Sequence, residues 1–240
     1  MATATQGPDV RKVATKEGGT AGLHGERLEL LLAGVAPLLL GLAGLIVLEG
    51  PADRPELNQS PAVILSYFGK QDTVILGSFL LTLAALAFIW FAGSLRAVLR
   101  RKEGGEGRLS AIAFGGAVVA GVFMLAMPAA NLVGALLVEQ LSATQAQTFY
   151  FLGDVFLYPA AMGAAVFVGA TALVALRTTL LPRWAAWLSL ALGVWLVIPP
   201  LGQGVDALEN PAPWSGLAVL PFVLVWTALI AVGLMRATDE

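Results

Sequence analysis

Residues 95–109 read LRAVLRRKEGGEGRL and lie between two long apolar runs. Five of the fourteen Lys and Arg residues fall here: Arg96, Arg100, Arg101, Lys102 and Arg108. A short loop this cationic stays on the cytoplasmic side when flanking apolar segments insert into a membrane, so its position predicts the sidedness of every other segment. The flanking runs belong in a bilayer. Hydrophobic residues make up 58% of the 240 and charged residues 12%, far from the balance of a soluble domain.

A helix needs roughly 20 apolar residues to cross a hydrocarbon core of ~30 Å. Uncharged runs at 30–48, 73–95, 109–138, 155–176, 184–205 and 211–235 predict an all-α bundle of six transmembrane helices. The third run is overlong, and Pro128 predicts a break or tilt that leaves 131–141 partly outside. With loop 95–109 inside, twelve Lys and Arg fall on the cytoplasmic side and only Arg54 and Lys70 outside, which predicts that both termini are cytoplasmic. The expected domains are a disordered cytoplasmic tail at 1–27, the six-helix domain at 28–236 and a short tail at 237–240. The first of these is too polar to offset its ordering entropy.

Loop 49–72 contains Ser60-Pro61, an N-cap followed by proline at the first helical position. The helix so started either runs on into the second span or lies along the outer surface, with Gly69, Lys70 and Asp72 marking a joint. Tyr67, Phe68, Trp184, Trp187 and Trp214 suit the membrane interface as depth anchors. Gly116 and Ala120 in the third span, and Ala161, Ala165 and Gly169 in the fourth, form small-residue faces that let helix backbones approach. They are expected to hold the bundle together, the sharper alternative being a lipid-exposed dimer face.

Chemistry has little to work with. Cysteine is absent and His24 is the single histidine, so no thiolate site or bis-histidine haem can form; no metal and no cofactor is expected. No Asp, Glu, Lys or Arg lies near the midpoint of a run, which disfavours proton coupling. Recognised catalytic motifs are missing, and GGEGR lacks the Lys-Ser/Thr end of a phosphate loop. Polar residues and prolines gather instead in the outer halves of the spans. Asn131, Asp154, Tyr158 and Gln203 are the candidate lining of a shallow pocket for a small or lipid-like ligand, opened by kinks at Pro128, Pro159, Pro199, Pro200 and Pro221. The competing reading is that these residues only terminate helices. Counting twenty residues back from Leu176 places Asp154 at the membrane edge as a solvated acid at a helix N-terminus. A helix already formed at 149–152 would bury it instead. Arg96, Arg100, Arg101, Lys102, Arg108 and Arg183 are the candidate topology determinants, able to attract anionic lipid headgroups.

The segment YFGKQDTVILGSFLLTLAALAFIWFAGSLRAVLR, the charged glycine-rich loop after it, and ALRTTLLPRWAAWLSLALG resemble uncharacterised six-helix integral membrane proteins of high-GC Gram-positive bacteria. That resemblance runs from about residue 30 to 235. It implies a bacterial cytoplasmic membrane location and no particular substrate. The expected function is a non-enzymatic accessory subunit of a membrane complex or a binder of an apolar ligand, with a small facilitator or permease as the alternative. Expected partners are the lipid bilayer and other membrane subunits or further copies of the chain, with no nucleic acid.

Overall fold

The computed structural model describes residues 32–198 and, beyond them, Trp226 and Ile230. The expected tails, Gln203, the prolines at 199, 200 and 221, Trp214, the end of the fifth run and nearly all of the sixth lie outside the described residues. Within them every regular element is helical: α1 (Leu32–Glu49), α2 (Pro61–Gly69), α3 (Gln71–Glu103), α4 (Arg108–Leu136), α5 (Ala143–Val155), α6 (Leu157–Arg177) and α7 (Arg183–Trp195). Helices are the expected solution for single segments in lipid, because each backbone N–H and C=O finds its partner within the segment. Four stretches are long and apolar enough to cross a membrane: α1, α3, α4 and the pair α5–α6, Ala143–Arg177. These match the first four expected spans. The fifth begins as α7, and of the sixth the helical, buried Trp226 and Ile230 are described.

The segments run up and down. The α3–α4 turn and the end of α6 share one end of the bundle, here the basic end, while α2, α5 and the loop after α1 share the other, the capped end. Two apolar clusters correspond to these ends. At the basic end Leu95, Leu99, Phe167, Leu180 and Ala185 are buried together with Trp226, whose ring meets that of Phe167 edge-on at 5.4 Å. At the capped end Leu48, Ile64, Tyr67, Phe68 and Tyr150 form the second.

Between α4 and α6 the backbones touch. A Cβ built on Gly163 would lie 2.5 Å from the Ala120 nitrogen, and one on Gly116 would lie 2.7 Å from the Gly163 carbonyl. No side chain fits there, so the interface depends on two glycines facing each other. The expected small face of α4 is therefore a core contact, but its partner on α6 is Gly163. Ala165 and Gly169 face a different neighbour: a Cβ on Gly193 of α7 would come within 3.3 Å of the Ala165 carbonyl and the Gly169 nitrogen. α3 packs on α4 where Ile89 fills the space above Gly121, and α1 packs on α3 where Leu48 covers Gly77.

One expectation about a helix end needs correction. Pro128 does not end the third span; α4 continues to Leu136 with Pro128 buried inside it. Its missing N–H matters less where neighbouring helices enclose the site. Pro159 does interrupt: it cannot donate to the Val155 carbonyl and its ring crowds that oxygen, and α5 gives way to α6 at Phe156. The 21 residues of α6 rise about 31 Å, long enough to span a hydrocarbon core without α5.

Gly163→Ala is expected to destabilise the bundle by about 3 kcal/mol, since the added methyl meets backbone on both sides. Gly115→Ala, with open space around the new methyl, should be neutral or stabilising by up to about 1 kcal/mol. Unfolding by denaturing detergent, followed by circular dichroism, would compare them.

Candidate functional site

Among the described residues, the ionisable groups most enclosed by the fold lie at the capped end, and local structure explains how each arrives there. After α1 the chain folds back on its own last turn: the N–H groups of Gly50, Ala52 and Arg54 donate to the carbonyls of Ile46, Val47 and Leu48 at 3.0, 3.1 and 3.1 Å. Those carbonyls would otherwise lack partners at a helix end. Asp53 adopts φ of 52°, a left-handed conformation that reverses the chain. Arg54 is thereby turned inward over the bundle.

Its partners come from α5. Ser142 and Gln145 form a reciprocal capping box, Gln145 N–H to Ser142 Oγ at 3.3 Å and Ser142 N–H to Gln145 Oε1 at 2.9 Å. The helix therefore starts at Ala143, and Asp154 falls in its last turn rather than at an N-terminus. This overturns the reading of Asp154 as a solvated first-turn acid. That reading followed the apolar run, whereas the capping chemistry twelve residues upstream decides where the helix begins.

Arg54 Nη2 pairs with Asp154 Oδ1, the two side chains 15% and 13% exposed. Arg54 Nε donates to Tyr150 Oη at 3.2 Å, and the Tyr150 hydroxyl donates in turn to the Pro55 carbonyl. Glu49 Oε1 stands 3.6 Å from Arg54 Nη1. Burial works to lower the Arg54 pKa, but the facing Asp154 and the Tyr150 oxygen outweigh it and raise the pKa above its ordinary value, so the guanidinium stays charged. Lys70 Nζ ties the joint between α2 and α3 to the same loop, donating to the Ala52 carbonyl at 2.8 Å.

Tyr67 and Phe68 are not interfacial anchors. Both are buried, Phe68 against Gly134 of α4 and Tyr67 edge-on to Tyr150 at 5.7 Å. Burial pushes the Tyr67 hydroxyl pKa upward, opposed by Arg54. Among the described residues that hydroxyl has no hydrogen-bond partner. Trp184 and Trp187, in the first turns of α7, are 63% and 60% exposed.

Of the expected pocket residues, Asn131 is 3% exposed on α4, on the side where Gly153 of α5 packs, and Asp154 is held by Arg54. Tyr158 is half-buried one turn further along α6. Gln203 lies outside the described residues. Asn131 and Asp154 thus border one α4–α5 contact, with Arg54 and Tyr150 lying against Asp154. Neither of these two was among the expected site residues. One signal pointed to Arg54: an arginine in a loop expected on the side that cations avoid needs a local reason to be there.

Of the cations expected to set topology, Arg96, Arg100, Arg101, Arg108 and Arg183 are exposed and Lys102 is half-buried. Arg96 lies over the Phe114 ring at 5.3 Å. Comparison with protein-family models, with curated proteins and with solved structures finds no match.

Asp154→Asn leaves a buried guanidinium without its counter-charge and is expected to cost about 3 kcal/mol; the double variant Arg54→Met/Asp154→Leu should cost clearly less than the sum of the singles. Tyr150→Phe should cost about 1–3 kcal/mol by stranding the Pro55 carbonyl, while Tyr67→Phe should be neutral or stabilising because its hydroxyl has no partner to lose. Both comparisons are read from unfolding midpoints.

Proposed function

We propose that this chain is a multi-pass accessory subunit of a membrane complex, without catalysis or a conduction path of its own. The observation that supports it most directly is the close contact of α4 with α6, where backbone meets backbone at Gly116 and Gly163. The buried hydroxyls of Thr171 and Ser189 donate to carbonyls of their own helices, at 2.8 Å each. A facilitator or permease needs a wet route past this contact.

A stripe along α3 supports the partner side of the reading. Leu76, Phe79, Leu86 and Trp90 recur at helical spacing and are 51%, 54%, 51% and 67% exposed. Large rigid side chains of this kind suit packing against another helix as well as against lipid. In this reading six spans place both termini and loop 95–109 in the cytoplasm of a bacterial cell.

Native mass spectrometry of the gently solubilised protein should then find a partner chain in fixed ratio. Proteoliposomes containing the chain alone should pass glycerol, urea and K⁺ no faster than empty vesicles, and flux above that background would overturn the reading. Because the chain has no cysteine, Gly104→Cys and Glu56→Cys can be labelled singly. A membrane-impermeant maleimide applied to intact cells should reach Cys at 56 and not at 104.

A further inference from the structure

Topology requires only that cations lie on one side of the membrane; it does not require them to converge. At the basic end they do. The α3–α4 turn and the last turn of α6 enclose a cavity of about 300 Å³ whose walls carry Lys102, Arg108 and Arg177. Two carboxylates also line it, and they differ. Glu103 is committed to the fold: its two oxygens accept the Leu109 and Ser110 N–H groups at 2.7 and 2.8 Å and so cap the first turn of α4. Glu106 is exposed.

The shape of the cavity suits an anion. Gly104 and Gly107, with φ of 70° and 67°, form part of its wall, and a Cβ at Gly104 would meet open space. Backbone can therefore come close to a ligand, as at other anion sites built from glycine turns. Buried Val174 supplies an apolar wall. The depth is also suitable, since the cavity lies where α3 passes from buried Leu99 to Arg100, Arg101 and Lys102, the level at which headgroups sit. Its volume is at the small end of ligand pockets, which run from roughly 300 to 1,000 Å³.

We propose that this cavity binds a phosphate-bearing anion, delivered as the headgroup of an anionic glycerophospholipid or as a soluble phosphate compound. Arg108 and Arg177 clamp the phosphate from two segments far apart in sequence, and the Gly104–Gly107 turn closes over it. The inference goes beyond the accessory-subunit reading and stands if that reading fails.

The test uses the purified full chain in neutral detergent, titrated with dioleoyl phosphatidylglycerol, dioleoyl phosphatidylcholine, inorganic phosphate and glycerol 3-phosphate, with bound ligand counted by native mass spectrometry. A basic residue near such a headgroup contributes about fivefold in affinity. Phosphatidylglycerol should bind at least tenfold tighter than phosphatidylcholine, and Arg108→Gln/Arg177→Gln should weaken it about 25-fold. Glu106→Gln, a change in an exposed loop that leaves folding intact, should tighten binding about fivefold and decides the matter if the double variant does not fold. Displacement of the lipid by millimolar glycerol 3-phosphate identifies a soluble phosphate as the ligand; resistance to it identifies the lipid. Equal retention of the two lipids with no binding of inorganic phosphate, or affinities unmoved by the Arg and Glu106 variants, would overturn the proposal.

Discussion

The approach of α4 to α6 at Gly116 and Gly163 sets the geometry on which the rest of the bundle depends. In lipid, apolar side chains gain nothing by leaving one hydrocarbon surface for another, so helices associate through close packing and dispersion. Two facing glycines bring the backbones into contact, and the flanking residues interlock around them. α3 then occupies another face of α4, with Ile89 over Gly121, while α7 occupies another face of α6, with Gly193 against Ala165 and Gly169. A bulkier residue at either of the two central glycines would push apart both pairs.

The two ends of this bundle handle charge in opposite ways. At the capped end a few charges are enclosed: Arg54, Asp154 and Tyr150 satisfy one another and join the loop after α1 to a helix about a hundred residues later. A buried pair of this kind is weak evidence for stability, because desolvation offsets most of the attraction, but it discriminates strongly against arrangements that leave either charge alone. It selects one placement of α5 over the bundle. At the basic end the cations remain largely exposed, and one carboxylate, Glu103, is consumed in capping α4. Arg108 and Arg177 line the cavity there, whereas the charges at the other end are enclosed against one another.

Parts of this arrangement were legible residue by residue. Ser60-Pro61 announced α2, although the Ser60 side chain makes no capping hydrogen bond, and Gly69-Lys70 the joint before α3, because the conformational limits of proline and glycine are local. Gly116 and Ala120 marked a packing face because small residues at helical spacing have few other uses. Other parts required neighbours. Pro128 could equally end a helix or be carried inside one, and only the enclosure of its surroundings settles which. Tyr67 and Phe68 have the amphipathic character of interfacial anchors, yet Gly134, sixty-odd residues away, provides the gap that buries Phe68. The place of Asp154 turned on Ser142 and Gln145, whose capping signal lies in a stretch too polar to register as part of a span.

Hydropathy, charge and capping act over one or two helical turns, and these local signals were enough to show that the chain is helical, that at least four of its segments are long and apolar enough to cross a membrane, and which loops lie together at one end. Which glycine faces which, where Arg54 finds its counter-charge, and that Arg108 and Arg177 line one cavity were decided by tertiary structure alone. These contacts join residues tens of positions apart, and their energies depend on burial and fit, which exist only once the helices have packed.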